Sequence, residues 1–283
     1  MNTIGILSKP QLSNISANLS QLVKWLKDRG KEVLLDLQLG ESLPDTKQTS
    51  RALIAQKADL LIVLGGDGTM LGAARLVEQR SLPILGVNMG GLGFLTETTI
   101  DDLYGSLEKV FAGAYLLDQR LMLRVGIYHQ GKRMSEATVL NDIVIAKGHL
   151  ARMISTQISI NKTFMTNIRG DGLIISTPTG STAYSLSAGG PILDPSLDAL
   201  LINPICPHTL SHRPFLSPSE YPIEVVLTSQ QKAVATLDGQ IGIEMNPGDT
   251  VEICASEHRA QLIRFPDRSY YDVLRTKLKW GDG

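Results

Sequence analysis

The amino-acid sequence predicts an α/β N-terminal domain with a parallel, Rossmann-like sheet, followed by a β-rich, sandwich-like C-terminal domain. Between residues 3 and 112, short apolar runs alternate with segments whose apolar residues recur every three or four positions, the spacing of a helix face. After Leu121, short strand-like runs separated by turn residues take their place. Alternating strands and helices are typical of a parallel sheet covered on both faces, whereas successive short strands favour a sandwich. We expect an α/β domain at 1–118, a β-rich domain at 119–268 and, at 269–283, a helix that packs on the first domain.

In the first domain, the apolar runs predict strands at residues 3–7, 32–35, 60–64 and 82–87. The helical spacing predicts helices from residue 15 to about 30, from 69 to about 80 and over 101–112. Sites in such sheets lie at the carboxyl ends of the strands. We therefore expect Asp67 at one strand end and the segment 88–94 at another.

In the second domain, strands are predicted at 121–128, 135–146, 156–160, 172–176, 223–228, 232–237 and 250–254. Leu274 and Leu278, four residues apart, predict a closing helix over 269–278.

The composition limits the classes of function. The 283 residues carry a net charge of -1, which gives no electrostatic reason to expect nucleic acid or an acidic membrane as a partner. The two cysteines, Cys206 and Cys254, lack zinc-ligand spacing, and no apolar window approaches the length of a membrane span. We expect a reduced, cytoplasmic protein without a nucleic-acid or membrane partner.

The segment Gly65-Gly66-Asp67-Gly68-Thr69 follows a predicted strand and begins a predicted helix. Glycine N–H groups and a helix N-terminus attract phosphate, but a carboxylate at that place repels it unless it binds a metal or accepts a proton. Asp67 therefore indicates chemistry on a phosphate, and the alternative is a simple tight turn. The segment matches neither the P-loop nor the G-x-G-x-x-G fingerprint.

Two further segments are candidates for a binding site. Asn141-Asp142 interrupts an apolar strand. The pair is interpreted either as a β-turn or bulge, or as a clamp that binds ribose hydroxyls. Residues 176–191 are rich in hydroxyls and small residues and contain Tyr184, which can stack on a flat ring. The same run also fits a Ser/Thr-capped helix start that ends at Gly189.

Several charged or polar residues in the same part of the sequence can be interpreted in two ways. Arg169 beside Asp171 fits a surface ion pair, and Lys147, His149 and Arg152 fit either a phosphate contact or a solvated loop. Asp238-Gly239-Gln240 is read first as a hairpin turn.

Together, these segments resemble the NAD kinase family over nearly the whole chain. The resemblance rests on 65–69, 88–95, Asn141-Asp142, 170–191 and the segment 207–214, which is similar to the bacterial branch. The glycine loop is shared with phosphofructokinase-like and lipid kinases, whereas the run 177–185 is highly specific.

The resemblance implies phosphorylation of the adenosine ribose 2′-hydroxyl of NAD by ATP with Mg²⁺ or another divalent metal. Asp67 would accept the proton, with a metal contact possible, and Asn141 and Asp142 would hold ribose hydroxyls. Many members have Asn-Glu here, so the carboxylate of Asp142 reaches one methylene less far. The other implied ligand-binding residues are Gly66, Gly68, Leu71, Phe94, Arg152, Arg169, Asp171, Thr182, Ala183, Tyr184, Ser185, Ser187 and Gln240.

The resemblance also implies a homotetramer or homodimer, in which Arg169 and Asp171 contact NAD partly across a subunit interface. Two alternatives stay open: a lipid or sugar kinase that shares the glycine loop, and a dinucleotide sensor without turnover.

Overall fold

The computed structural model describes residues 1–8, 15–37, 39, 46–77, 80, 82–91, 93–148 and 152–280. The chain forms two compact units, Met1–Gln119 with Ala260–Gly283 and Arg120–Arg259, and each is described by itself. Every helix within the described ranges lacks the length and apolar character that a membrane-crossing helix needs.

The first unit is built on an eight-stranded sheet. Its strands are β1 (Thr3–Ser8), β2 (Glu32–Asp36), β3 (Gln48–Thr49), β4 (Leu60–Leu64), β5 (Pro83–Asn88), β6 (Thr98–Thr99), β7 (Leu116–Arg120) and, much later in the chain, β20 (Ala260–Arg264). They lie in the order β3-β2-β1-β4-β5-β20-β7, and β6 also pairs with β5. The central strands pair in parallel, so β4 and β5 end side by side at one edge of the sheet.

Helices cover both faces of this sheet. They are α1 (Ile15–Asp28), α2 (Arg51–Lys57), α3 (Asp67–Leu76), α4 (Leu103–Phe111) and the closing helix α6 (Tyr270–Leu278). Leu22 of α1 and Leu107 of α4 share one buried cluster with Ile4 and Ile6 of β1. Gly5 faces the other side, where a Cβ would lie 2.4 Å from Ile54 of α2, so alternate strand residues contact helices on opposite faces.

The second unit contains two six-stranded antiparallel sheets. Its strands are β8 (Leu123–His129), β9 (Lys132–Val139), β10 (Asp142–Lys147), β11 (Ile154–Ile160), β12 (Thr163–Gly170), β13 (Gly172–Ser176), β14 (Ala199–Ile205), β15 (Phe215–Pro218), β16 (Ile223–Leu227), β17 (Ala233–Leu237), β18 (Ile241–Met245) and β19 (Thr250–Ala255). One sheet has the order β15-β14-β13-β10-β17-β18, and the other β12-β11-β16-β19-β8-β9. A single buried cluster holds side chains of both sheets, which is the core of a sandwich. A 3-10 helix (Thr179–Thr182) and the short α5 (Tyr184–Ser187) follow β13.

The predicted fold class is confirmed: an α/β unit with a parallel sheet and an antiparallel β-rich unit. Two predicted boundaries are wrong. The single strand predicted at 135–146 is two strands in different sheets, because the chain bends at Asn141. Residues 260–264, expected within the β-rich domain, form β20 and pair in parallel with β5 of the first sheet.

Candidate active site

The glycine loop of the first unit connects β4 to α3. Gly66 is the N-cap residue of α3, and Asp67 is its first residue. The Gly65 N–H donates to the carbonyl of Val87, 2.9 Å away, and so ties the loop to the end of β5. Gly66 and Gly68 are exposed, so the backbone at the helix N-terminus is open to a ligand. This is the strand, glycine loop and helix arrangement that binds phosphate.

The carboxylate of Asp67 is held by the loop that follows β5. Its Oδ2 accepts a hydrogen bond from the Phe94 N–H and its Oδ1 one from the Leu95 N–H, both at 2.9 Å. Gly93 lies so close that a Cβ there would be 2.1 Å from Oδ1. Asp67 and the segment after β5, which were predicted at two separate strand ends, are therefore in direct contact.

Side chains at both ends of this second loop fix its path. The Nδ2 of Asn88 donates to the carbonyl of Gly91, and its Oδ1 accepts from the Gly90 N–H. The hydroxyl oxygen of Thr96 accepts from the Gly93 N–H at 3.1 Å. Leu92, which belongs to the predicted motif, lies outside the described residues.

The geometry leaves Asp67 able to react. A carboxylate oxygen has two acceptor positions, so each oxygen retains one after binding an amide. Asp67 is half-buried and can accept a proton or contribute a hard oxygen ligand to Mg²⁺. Within the described ranges, no group of three His, Cys, Asp or Glu residues could hold a metal on its own. A metal at Asp67 would take its remaining ligands from phosphates and water, which is how Mg²⁺ is commonly bound with nucleotides.

The second unit contains a cavity of about 430 Å³ in which the predicted ribose clamp lies. Its lining residues are Asn141, Asp142, Val144, Ala146, Ala183, Tyr184, Thr236, Asp238 and Gly239. The lining offers two carboxylates, an amide, two hydroxyls and small apolar side chains. Carboxylates accept hydrogen bonds from sugar hydroxyls and repel phosphate. The cavity therefore suits the sugar and a flat ring of a ligand better than a phosphate.

Asp142 is buried at the start of β10. Burial, together with the charge of nearby Asp238, raises the pKa of the Asp142 carboxyl from 3.8 to about 7. The group therefore changes its charge near neutral pH, in the place where a ligand hydroxyl would meet it.

Asp238 is the site residue that the sequence reading missed. It lies in the hairpin turn between β17 and β18 with φ at 49°, a conformation that aspartate tolerates. Its carboxylate accepts from the N–H groups of Asn141 at 2.8 Å, Leu140 at 3.2 Å and Asp142 at 3.3 Å. In the sequence Asp238 resembles an ordinary turn residue, because only the folded structure shows that its carboxylate is buried.

The hydroxyl-rich run holds the same bend from its other side. The Thr177 hydroxyl donates to the Leu140 carbonyl at 2.6 Å, and the Ser176 hydroxyl lies 3.3 Å from the Asn141 carbonyl. A Cβ on Gly180 would lie 2.2 Å from that Asn141 oxygen, so only glycine fits there. These hydroxyls therefore shape the backbone that presents Asn141 and Asp142.

The remaining predicted residues of the hydroxyl-rich segment have different surroundings. Ala183 and Tyr184 line the cavity. Ser185 is buried and its hydroxyl oxygen accepts from Asn203, while Thr182 donates to the carbonyl of Thr179. Ser187 is exposed.

The predicted charged contacts lie elsewhere in the second unit. Asp171 forms an ion pair with Lys147 at 2.6 Å, whereas the sequence suggested Arg169 as its surface partner. Arg152, Arg169 and Gln240 are exposed. In the first unit, Leu71 is buried within α3. His149 lies outside the described residues.

Comparison with known proteins gives one consistent family. Family models for the ATP-NAD kinase N-terminal and C-terminal domains match residues 4–115 and 140–265. Curated proteins named NAD kinase from Geotalea daltonii, Syntrophotalea carbinolica and Geobacter sulfurreducens are each 45% identical to this chain, and each match covers 100% of both chains.

Two solved structures are similar over nearly the whole chain. An NAD kinase from Archaeoglobus fulgidus in complex with ATP has a TM-score of 0.77 and 26% identity, covering 99% of both chains. The structure of yeast NADH kinase complexed with NADH has a TM-score of 0.93, and the match covers 100% of this chain and 89% of the yeast chain. At 24% identity, that second likeness shows the fold alone.

Proposed function

Since this chain belongs to the ATP-NAD kinase family and phosphorylates NAD, we propose that it transfers the terminal phosphoryl group of ATP to the adenosine ribose 2′-hydroxyl. The products are ADP and NADP. The observation that carries this proposal is the carboxylate of Asp67, fixed by two amides directly at a glycine-rich helix N-terminus. Such a group has no use in simple phosphate binding, but it has one in phosphoryl transfer to a hydroxyl.

Asp67 is the proton acceptor in this proposal. A hydroxyl must lose its proton as it attacks phosphorus, and a positioned carboxylate can accept that proton. The amides of Phe94 and Leu95 hold the carboxylate in one orientation, so no reorganisation is needed when the proton moves.

The glycine loop is the proposed site of the ATP phosphates. Exposed backbone at Gly66 and Gly68, at the N-terminus of α3, offers a favourable field for their charge. Mg²⁺, when bound, neutralises charge on the phosphates, and Asp67 is the protein group that would contact it directly or through water.

The cavity of the second unit is the proposed site of a ribose of NAD. Asn141 and Asp142 present an amide and a carboxyl group to vicinal hydroxyls, and Tyr184 offers a face for a flat ring. We also propose ligand contacts for Gly66, Leu71 and Phe94 in the first unit. We propose ligand contacts for five further residues of the second unit as well: Arg152, Gln240, Thr182, Ser185 and Ser187.

We further propose a cytoplasmic homotetramer or homodimer in which Arg169 and Asp171 contact NAD partly across a subunit interface. The family membership and the exposed position of Arg169 support this assignment.

The test is incubation with MgATP and NAD⁺, followed by chromatographic detection of NADP⁺. We expect NADP⁺ and ADP in equal amounts, and no phosphorylated product from 2′-deoxy-NAD⁺. Efficient phosphorylation of a sugar or a diacylglycerol, with none of NAD⁺, would favour the other kinases that share the glycine loop. Binding of NAD⁺ without turnover would indicate a sensor.

A further inference from the structure

The environment of Arg264 connects the last strand of the first unit to the carboxylate of Asp67. Arg264 ends β20, which pairs in parallel with β5, and its side chain is only 14% exposed. Its guanidinium donates to three separate groups: Glu97 Oε2 at 2.8 Å, the Phe94 carbonyl at 3.1 Å and Asp118 Oδ2 at 3.3 Å.

One peptide group is shared between Arg264 and Asp67. The carbonyl of Phe94 and the N–H of Leu95 belong to the same planar unit and point in opposite directions. The carbonyl accepts from Arg264, and the N–H donates to Asp67 Oδ1 at 2.9 Å. A rotation of this unit that breaks one hydrogen bond therefore breaks the other. A cation on the carbonyl also polarises the N–H and strengthens its bond to the carboxylate.

Glu97 fixes Arg264 in turn. Its side chain is 2% exposed, and its second oxygen accepts from the Phe265 N–H at 2.7 Å. The Glu97 N–H donates to the carbonyl of Gly86 in β5, and its carbonyl accepts from Arg268. The ion pair is therefore tied to two strands of the sheet, which makes it a rigid support for the Phe94 carbonyl.

We propose that Arg264 is a positioning residue for phosphoryl transfer, acting on Asp67 through the peptide group between Phe94 and Leu95. The inference rests on the proposed role of Asp67 as proton acceptor. Lysine cannot replace Arg264 in this role, because an ammonium group lacks the planar fork that reaches several acceptors at once. Lysine does retain the positive charge opposite Glu97, so Arg264→Lys keeps the buried carboxylate paired.

The test compares Arg264→Lys with Arg51→Lys. Arg51 also pairs with a buried carboxylate of the same unit, that of Asp36, and is the matched control. We expect Arg264→Lys to lower kcat by roughly tenfold or more with little change in KM for NAD⁺, since misplacement of a catalytic group by about 1 Å can cost ~100-fold. Arg51→Lys should retain wild-type kcat.

A double-mutant cycle with Asp67→Asn separates positioning from general structural damage. If Arg264 acts through Asp67, adding Arg264→Lys to Asp67→Asn should reduce the residual rate by less than about twofold. A loss of the same factor in both backgrounds, or an unchanged kcat in Arg264→Lys, would overturn the inference. An inactive wild-type protein would instead contradict the proposed function.

Hydrogen exchange gives a measurement that does not depend on activity. The Leu95 amide should exchange faster in Arg264→Lys than in Arg51→Lys, because its planar unit has lost one anchor. If Arg264→Lys does not fold, Glu97→Gln is the substitute, because it weakens the same ion pair and keeps an oxygen for the Phe265 N–H. The kcat and the exchange rate of the Leu95 amide are then measured in Glu97→Gln. Unchanged exchange at Leu95 with a normal kcat would count against the inference.

Discussion

Two aspartates of the proposed site have different surroundings and therefore different chemistry. Asp67 is half-buried and its two oxygens are oriented by backbone amides. Asp142 is buried beside a second carboxylate, that of Asp238. Burial is the larger cause of the raised pKa of Asp142, and the charge of Asp238 is the second cause. At the scale of single residues, the first environment suits proton acceptance and the second suits recognition of hydroxyls.

Replacing Asp67 with asparagine tests the proton acceptor. We expect NADP⁺ formation to fall by roughly 10²- to 10⁴-fold, the usual contribution of a general base, while NAD⁺ affinity changes little. Steady-state rates and calorimetric titration measure the two quantities. Asp59→Asn is the control, because the Asp59 carboxylate also accepts from two backbone amides of the same unit. Equal activity of the two variants would remove Asp67 from the mechanism.

Replacing Asp142 with asparagine tests the effect of its raised pKa on stability. A carboxyl group with a pKa of about 7 in the folded protein and 3.8 when unfolded favours folding while it is protonated. That contribution is complete below about pH 4 and is lost as pH rises through 7. We therefore expect Asp142→Asn to raise Tm relative to wild type at pH 8, and the difference to shrink towards pH 5. Melting curves without NAD⁺ at both values measure it, and a difference that does not vary with pH would contradict the prediction.

At the scale of elements, two loops place these carboxylates. The loop after β5 approaches Asp67 at Gly93, where any side chain would collide with the carboxylate. Gly93→Ala should therefore displace either the loop or Asp67 and lower kcat by about tenfold or more. Gly91→Ala is the matched control in the same loop, since a Cβ there meets nothing within 4 Å. Similar rates for the two variants would show that this loop does not position Asp67.

The hairpin between β17 and β18 has the corresponding role for the second unit. Asparagine at 238 keeps the positive φ of the turn but replaces one acceptor oxygen with an NH₂ group facing backbone donors. We expect Asp238→Asn to weaken NAD⁺ binding about tenfold, because the bend that carries Asn141 and Asp142 loses an anchor. Calorimetric titration beside a melting curve measures this. Asp198→Asn, on an exposed ion pair of the same unit, should bind normally, and equal affinity of both variants would contradict the role of the hairpin.

Local sequence patterns predict the elements that bury one regular face. The strand at 60–64 is clear because it is an unbroken apolar run, and the closing helix is clear because apolar spacing agrees with the N-cap residue Ser269. The seven-residue α2 and the two-residue strands β3 and β6 are too short for periodicity to show. The strand predicted at 135–146 was wrong because both halves are β-like. The polar pair Asn141-Asp142 marked a turn or bulge there, but it did not show that the chain crosses from one sheet to the other.

Contacts between distant residues explain what the sequence could not reveal about the site. Asp67 stood out as a carboxylate in a glycine loop that would otherwise suit phosphate, and Asn141-Asp142 stood out because the two polar residues interrupt an apolar strand. Asp238 lies about a hundred positions from the amides it holds, and Arg264 lies 170 positions from Phe94. In the sequence, one resembles an ordinary turn and the other an ordinary charged strand end.

At the scale of the whole molecule, the chain leaves the first unit near residue 119 and returns to it at residue 260. The returning segment supplies β20 and therefore Arg264. The family model for the C-terminal domain spans 140–265 and so includes this strand. A truncation after the second unit would therefore remove a strand of the first sheet as well as the proposed support of Asp67.

The proposed sharing of a site between subunits makes a prediction about mixtures of inactive variants. Asp67→Asn removes the proton acceptor, and Asp171→Ala removes a residue proposed to reach NAD in a neighbouring subunit. If each site takes Asp67 from one subunit and Asp171 from another, a mixed dimer contains one doubly altered site and one intact site. Random assembly of equal amounts should then recover about one quarter of wild-type activity, because half of the dimers are mixed and each has one intact site of two.

The measurement is NADP⁺ formation by the unfractionated mixture after co-expression of the two variants in equal amounts; purification on two different tags in succession, which isolates the mixed dimers, should raise the recovery to about one half. The control pairs Asp67→Asn with Arg264→Lys, two changes within the first unit that are proposed to act on one carboxylate of the same subunit. That mixture should show only the average of its separate rates, because every site keeps one of the two alterations. Sedimentation equilibrium should first show an assembly larger than one 30.7 kDa chain. Two results would contradict the shared arrangement: a monomer, or a mixture with Asp171→Ala that recovers no NADP⁺-forming activity. Either result would mean that Asp67 and Asp171 belong to a site formed within one subunit.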